Sequence, residues 1–109
     1  MPNMTSFDRG DVVLIPFPFS DQSASKIRPA IVANPRYSSD DLLVVGGDSL
    51  RAGEFFIESW KKIGLLHPSY VKRALATVEA DLIRRRIGRI ETPDLLKLNE
   101  ALRLWFGLT

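Results

Sequence analysis

The residue whose type and setting most clearly suit a chemical role is Arg28. Arg28 stands with Pro29 at the start of an apolar segment, shortly after a polar loop over residues 20–25. A guanidinium is always charged and offers a planar fork of donors, which matches the geometry of a phosphate group. Lys26 could hold a neighbouring phosphate or could remain solvated. This segment therefore indicates recognition of a phosphate-bearing ligand.

The composition narrows the class of protein. The chain has 109 residues, of which 45% are hydrophobic and 26% charged, as expected for a single globular domain over residues 1–109. It has no cysteine, which excludes disulfides, zinc–thiolate sites and a cysteine nucleophile. No apolar run approaches the ~20 residues of a membrane span, and residues 1–8 lack a secretory pattern. We therefore expect a cytoplasmic protein with no membrane partner.

Charge is unevenly distributed along the chain. Residues 1–58 hold five Lys/Arg and eight Asp/Glu, a balance of −3, whereas residues 59–109 hold ten Lys/Arg and five Asp/Glu, a balance of +5. A basic half suits an anionic partner such as nucleic acid or an acidic peptide. A solvated basic surface with no partner would give the same pattern.

Short apolar segments between turn residues predict a sheet. The predicted strands are 12–15, 29–33, 42–45, 55–57, 70–78 and 87–90, with a short helical turn over 80–86. Pro16 and Pro18 cannot donate ladder hydrogen bonds, so pairing should fade after Ile15. These elements would place Arg28 where a loop meets a rigid strand.

A helix is predicted at the end of the chain. Thr92 is a good N-cap, Pro93 fits the first helical position, and Asp94 complements the positive end of the helix. Gly107 can close the helix. Apolar residues recur at helical spacing and predict core or dimer contacts: Leu95, Leu98, Leu102, Trp105 and Phe106. Closely spaced strands and one terminal helix predict an α+β fold with a small, strongly bent antiparallel sheet.

Four segments in this order resemble the MazF/PemK family of toxin endoribonucleases. They read G-D-V at 10–12, R-P-A at 28–30, G-L-L-H-P-S-Y-V at 64–71 and D-L-I-R-R-R-I-G-R-I at 81–90. The resemblance implies an SH3-like barrel of the MazF/CcdB kind with a C-terminal helix, assembled as a homodimer. It also implies the toxin of a type II toxin–antitoxin system that cleaves single-stranded RNA (mRNA) at short sequences. A cognate antitoxin peptide, acidic and disordered, would block the RNA groove.

The resemblance implies a reaction without metal or cofactor. RNA carries its own nucleophile, the 2′-hydroxyl, so an enzyme must deprotonate it, stabilise the charged phosphorane and protonate the leaving 5′-oxygen. The products would be a 2′,3′-cyclic phosphate and a 5′-hydroxyl. Arg28 matches the family's catalytic arginine and would neutralise the transition state, or serve as the acid as well. The alternative role for Arg28 is a surface ion pair beside the loop.

At the second position where the family carries a catalytic residue, this chain departs from the family's sequence pattern. The family usually carries a Thr or Ser after the third strand, where this chain reads G-G-D-S-L, which puts Asp48 and Ser49 at the catalytic site. Ser49 supplies the hydroxyl after a one-residue shift, or Asp48 acts as general base, or the site is impaired. Losing one transition-state donor typically costs ~10²–10³ in rate.

Further residues are predicted to contact RNA. Phe17 and Phe19 either pack on the core or stack on a base. Ser69 either bonds RNA or caps a turn, and Ser20 and Lys72 complete the predicted RNA-binding set. Among Arg84, Arg85, Arg86 and Arg89, some would meet phosphates or an antitoxin carboxylate, or else pair with Glu79, Asp81 or Glu91. His67, the only histidine, is expected to be structural, with acid/base duty as the alternative.

A different class of function also fits the sequence. A catalytically impaired or non-catalytic module of the same fold would bind RNA, an antitoxin or DNA gyrase, and the departure at Asp48 favours it. Gyrase poisoning in CcdB-type proteins depends on the C-terminal residues, whereas Trp105 here is a plausible core residue.

Overall fold

The computed structural model describes residues 7–17, 26–34, 39–46 and 53–108. Strands, a short 3-10 turn and a helix follow one another along these residues. In chain order they are β1 (Asp11–Phe17), β2 (Lys26–Val32), β3 (Ser39–Val45), β4 (Phe55–Phe56), β5 (Tyr70–Glu79), the 3-10 turn Ala80–Leu82, β6 (Arg85–Arg89) and α1 (Thr92–Trp105).

The strands form one sheet in the order β4-β5-β3-β2-β1-β6, and every neighbouring pair is antiparallel. The predicted α+β class, with an antiparallel sheet and a C-terminal helix, is confirmed. Across the described residues the ladder is open, with β4 at one edge and β6 at the other. Closure into an SH3-like barrel therefore stays a prediction. The order brings β6, late in the chain, against β1 near its start.

β1 continues through a proline, so the expectation that pairing fades after Ile15 is wrong. Pro16 lies opposite Ile27 in the register of β1 and β2, and Phe17 lies opposite Lys26. β2 correspondingly begins three residues earlier than predicted. The residue before the candidate arginine is therefore already part of the sheet.

The direction of its backbone explains why Pro16 is tolerated. The carbonyl of Leu14 faces β6, where it accepts a hydrogen bond from the Arg84 N–H at 2.8 Å. Alternation along the strand turns the nitrogen of Pro16 to the same side. β6 pairs with β1 only as far as Leu14, so the donor that Pro16 lacks has no ladder partner to lose.

Alternating side chains of β1 and β2 pack into two hydrophobic layers on opposite faces of the sheet. Val12 and Ile31 face the first layer, where they pack with Leu98 of α1 and with the buried residues of a turn over 57–65. Val13 and Ala30 face the second layer. The remaining buried members of the second layer are Phe7, Ile15, Val32 and Ile83. The helix thus covers one face of the sheet.

α1 begins one residue earlier than its capping pattern predicts. Glu91 holds the N-cap position without a side-chain hydrogen bond, and Thr92 is already helical. Capping by Thr92 is therefore wrong, because the Leu95 N–H already closes the first turn on the Glu91 carbonyl at 2.9 Å. Gly107, with φ +68°, follows the end of the helix as predicted.

The apolar face of α1 packs on the core for most of its length. Leu98 is fully buried, and Leu95, Leu102 and Trp105 pack against the first layer. Phe106 departs from this prediction, because the helix ends at Trp105 and the Phe106 side chain remains 58% exposed. The face offered for dimer contact in the sequence is therefore used largely inside the protomer.

The turn over residues 57–65 is clamped between α1 and β6. Asp94 of α1 is only 1% exposed and accepts hydrogen bonds from the backbone N–H groups of Glu58 (3.0 Å) and Ser59 (3.2 Å) and from the Ser59 hydroxyl (2.7 Å). On the other side Gly88 of β6 lies so close that an added Cβ would stand 2.3 Å from the Ile63 carbonyl oxygen. Asp94 is thus an anchor for this turn as well as a charge near the helix start.

β6 also begins earlier than predicted. Only Ala80–Leu82 forms a 3-10 turn, so the helical turn predicted over 80–86 is too long. Arg85 and Arg86 belong to the sheet instead, opposite Leu14 and Val13 of β1. The sheet register therefore controls which face each arginine takes.

A half-buried arginine ties the sheet to the helix. Arg9 donates from Nε to the Ala33 carbonyl at 3.0 Å and from Nη2 to the Asn99 side-chain oxygen on α1. Burial lowers the pKa of Arg9 from its ordinary value, but an arginine stays charged at neutral pH. Arg9 is therefore a structural cation.

Candidate functional site

A groove of about 610 Å³ opens where β1 and β2 meet the turn over residues 64–69. Leu14, Ile27 and Pro29 line it from the sheet, and Val45 and Gly46 line it from the end of β3. β6 contributes Arg85 and Ile87 to its lining. The groove therefore joins the three segments 28–30, 64–71 and 81–90 that stood out in the sequence.

The described lining is basic and contains no carboxylate. Arg28 and Arg85 both line the groove and both are exposed. Neither arginine forms an ion pair within the described part of the chain. An unpaired guanidinium beside an apolar floor keeps its donors available for an anionic ligand.

The floor of the groove is apolar, and one wall presents a ring. Leu14, Pro29 and Ile87 offer hydrocarbon surface, and Leu66 stands 86% exposed at the opposite side. His67 is exposed in the same wall. Apolar and ring surfaces between cations suit bases that have left a helical stack.

Ser69 shapes this wall from within. Its side chain is buried and its hydroxyl donates to the His67 carbonyl at 2.7 Å. The Ser69 carbonyl accepts a hydrogen bond from the Ile57 N–H at 2.9 Å. Ser69 thus caps the turn, which was one of its two predicted roles. The other role, contact with RNA, stays a prediction.

Two of the four arginines in the cluster over residues 84–89 are paired inside the protein. Asp11, which is buried, accepts hydrogen bonds from Arg89 at 2.8 Å and from Arg86 at 3.4 Å, and its second oxygen accepts the Asp8 N–H at 2.7 Å. Glu91, proposed as a partner of these arginines, instead pairs with Lys62 at 3.0 Å. The ion-pair alternative is therefore correct for two arginines, but with Asp11 as the acceptor.

Lys72 lies outside the lining of the groove. Its ammonium contacts Glu54 Oε1 at 2.9 Å, and Glu54 Oε2 accepts the Arg73 N–H at 3.0 Å. The Glu54 side chain is almost completely buried, so this pair anchors the start of β5. The predicted contact of Lys72 with RNA stays a prediction.

The other predicted site residues are only partly covered by the structure. Phe17 and Lys26 are placed by their backbone, opposite each other at the ends of β1 and β2. Phe19, Ser20, Asp48 and Ser49 lie outside the described residues. The roles given to these six residues stay predictions.

Sequence reasoning did not single out two lining residues, His67 and Arg85. A lone histidine before a proline carries no functional signal of its own. Three consecutive arginines, in turn, do not reveal which one faces a groove until the strand register is known. The signal available was the position of both residues inside the two later family-like segments.

No cluster of three or more metal-ligating side chains occurs among the described residues. No described helix is long and apolar enough to cross a membrane.

The chain matches one protein family over nearly its whole length. Residues 8–106 match the PemK-like, MazF-like toxins of type II toxin–antitoxin systems. The protein therefore belongs to this toxin family, as the sequence resemblance predicted. No curated protein sequence is significantly similar to it.

Solved structures share the fold at low sequence identity. A mycobacterial endoribonuclease in complex with its cognate antitoxin has a TM-score of 0.75 and 14% identity, over 97% of this chain and 98% of that chain. A second mycobacterial endoribonuclease has a TM-score of 0.74 and 14% identity, over 96% and 95%. The MazE–MazF structure from Deinococcus radiodurans has a TM-score of 0.73 and 16% identity, over 94% and 97%.

Proposed function

We propose that this protein is the endoribonuclease toxin of a type II toxin–antitoxin system and cleaves single-stranded RNA. The observation that carries the proposal is that Arg28 lines an apolar-floored groove and has neither an ion pair nor a carboxylate in the lining among the described residues, in a member of the MazF/PemK family. Phosphates of an RNA strand would meet the arginines, while its unstacked bases would lie on the apolar and ring surfaces.

The reaction is proposed to need no metal or other cofactor. The 2′-hydroxyl attacks the neighbouring phosphorus, the bond to the 5′-oxygen breaks, and the products are a 2′,3′-cyclic phosphate and a 5′-hydroxyl. Charge builds on the phosphoryl oxygens in the transition state, where the guanidinium of Arg28 is proposed to contribute most. Arg28 is also proposed to protonate the leaving 5′-oxygen as the acid.

The base for the 2′-hydroxyl is proposed to come from the segment after β3. Asp48 supplies a carboxylate there and Ser49 a hydroxyl that would hold the scissile phosphate. Gly46, which lines the groove and donates its N–H to the Tyr70 carbonyl at 2.9 Å, brings the chain to this point. The described anchor two residues before Asp48 supports placing this segment at the groove.

The partners follow from the same proposal. Two of the structural relatives are complexes of a toxin with its antitoxin, so a cognate antitoxin with an acidic tail is expected to compete with RNA for the basic groove. We further propose a homodimer with SH3-like barrel protomers that acts in the cytoplasm.

Cleavage of a long, unstructured RNA in the presence of a metal chelator tests the proposal. Wild type should cut within one short motif and leave 5′-hydroxyl ends. Arg28→Ala should lower the rate by about 10² or more, because a transition-state donor is lost. Mapping of the new 5′ ends provides the measurement.

Arg103→Ala is the matched control. It removes the same charge from an exposed position on α1 that does not line the groove, so its rate should equal that of wild type. Intact RNA at high wild-type concentration would overturn the enzymatic proposal. Equal rates for Arg28→Ala and Arg103→Ala would remove Arg28 from the reaction.

An impaired, purely binding form of the toxin is the second candidate, and the departure at Asp48 favours it. A carboxylate beside a phosphate is repulsive unless it acts as a base. A gain of RNase activity in Asp48→Thr would identify a decayed enzyme, whereas a loss would identify Asp48 as a participant. Binding of DNA gyrase through the C-terminal residues has little support, because Trp105 packs on the first hydrophobic layer.

A further inference from the structure

Three adjacent arginines enter β6, and the structure separates them by what each one contacts. Arg86 lies opposite Val13, a residue of the second hydrophobic layer, and its guanidinium bonds Asp11. Arg84 precedes the strand and is fixed through its backbone N–H. Arg85 alone of the three lines the groove.

The strand register explains this separation. Arg85 is paired with Leu14, and Leu14 is paired on its other side with Pro29. Directly opposed residues of neighbouring strands point to the same face of a sheet. Leu14, Pro29 and Arg85 therefore form one row across the groove floor, with the arginine at the outer edge.

Arg28 and Arg85 approach this row from opposite sides of β1. Arg85 and Pro29 lie two strand spacings apart, or about 10 Å between their backbones, and Arg28 is the neighbour of Pro29. Alternation along β2 starts the Arg28 side chain from the face opposite to that of Pro29, yet Arg28 is among the residues that line the groove. With their backbones about two strand spacings apart, the two arginines can hold different phosphates of one RNA strand. Arg85 is exposed and forms no ion pair with any described residue, so binding would not require breaking an internal contact.

We infer that Arg85 is a second phosphate-binding residue of the groove and holds an RNA backbone phosphate adjoining the one at Arg28. The inference rests on the proposed function. Arg85 contacts the substrate without taking part in bond breaking, so its loss should weaken binding for RNA of any sequence.

Binding of a fluorescein-labelled, 2′-O-methylated single-stranded RNA of mixed sequence tests this inference, because that probe lacks the nucleophile and stays intact. Anisotropy titrations at salt concentrations from about 50 to about 200 mM give the affinity and its salt dependence. Arg85→Gln should raise Kd about tenfold at the lowest salt and reduce the magnitude of the log–log salt slope by about 0.7 to 1.

Arg84→Gln is the matched control, since it removes the same charge one residue away from the groove lining, and its Kd and slope should remain close to those of wild type. Arg85→Lys should restore the salt slope, because it returns the charge, which a purely structural role would not predict. Thermal melting checks that each variant is folded.

Two outcomes would overturn the inference in different ways. If wild type binds the probe and Arg85→Gln behaves like Arg84→Gln, Arg85 holds no phosphate and the proposed function stands. If wild type does not bind the probe with a salt-dependent affinity, the RNA groove itself is wrong, and the assignment of Arg85 fails with it.

Discussion

Asp94 shows how one buried side chain can set the position of a site that it does not touch. Its carboxylate is satisfied by the backbone of Glu58 and Ser59 and by the Ser59 hydroxyl. Those residues begin the turn that leads to the groove wall at 64–69. A buried carboxylate with three donors is stabilising, and truncating it leaves two partly buried backbone N–H groups without their acceptor.

We predict that Asp94→Ala lowers the free energy of unfolding by about 3 kcal/mol, because two backbone donors lose their acceptor. Ser59→Ala removes a single hydroxyl donor and should cost about 1 kcal/mol. Urea denaturation at fixed protein concentration measures both values. Equal losses for the two variants would show that the backbone bonds to Asp94 contribute nothing.

At the residue scale, the sequence predicted Arg28 as a candidate catalytic residue but did not predict which side chains surround it. The R-P-A context and the loop before it predicted a role for Arg28, and the structure places Arg28 in the lining of the groove; its part in catalysis stays a prediction. Asp94 was interpreted only as a charge at a helix start, since its bonds to residues 58 and 59 depend on tertiary packing. Arg85 could not be chosen from three arginines, because a one-residue change in register would move it to the other face.

At the scale of elements, a close backbone approach joins β6 to the turn over 57–65. Gly88 is required there by space, because a Cβ would stand 2.3 Å from the backbone oxygen of Ile63. Backbone cannot move aside as the end of a flexible side chain can. The contact fixes the turn from the side opposite Asp94.

Gly88→Ala is predicted to destabilise the protein by at least about 2 kcal/mol through overpacking. Gly107→Ala is a suitable comparison, since Gly107 has φ +68° but nothing within 4 Å of an added Cβ. Its cost should be the backbone strain alone, about 1 kcal/mol. Denaturation midpoints in urea distinguish the two, and a Gly88→Ala variant as stable as Gly107→Ala would contradict the close approach.

Element positions were predicted better than element limits. Every predicted strand and the terminal helix occur, whereas β1, β2, β3 and β6 are longer or earlier than expected. Pro16 misled the prediction because a proline ends a ladder only where its nitrogen faces a partner strand. The sequence does not show which way that nitrogen faces.

At the scale of the whole molecule, an apolar surface remains after the helix has packed on the core. Leu104, Phe106 and Leu108 are 67%, 58% and 62% exposed, close together in sequence at the end of α1. Exposed apolar patches of this kind mark interaction surfaces. We therefore place the contact of the proposed homodimer at this end of the helix, beside the face named in the sequence.

Sedimentation velocity should find wild type as a dimer at micromolar concentration and Leu104→Ser largely as a monomer, because a polar group would then enter the contact. Leu82→Ser alters a side chain that is 53% exposed elsewhere on the surface and should leave the dimer intact. A monomeric wild type, or a dimeric Leu104→Ser variant, would remove this end of α1 from the interface.

The one-sided pairing at Pro16 has a consequence for local opening of the sheet. Residues 15–17 and 26–28 pair only with each other among the described strands, as a two-stranded ribbon projecting past β3 and β6. Such ribbons are marginally stable, so this one should open at a lower free energy than the central sheet and exchange its amide protons sooner. Arg28 lies on that ribbon, and a bound strand would selectively slow deuterium uptake there by holding the ribbon closed.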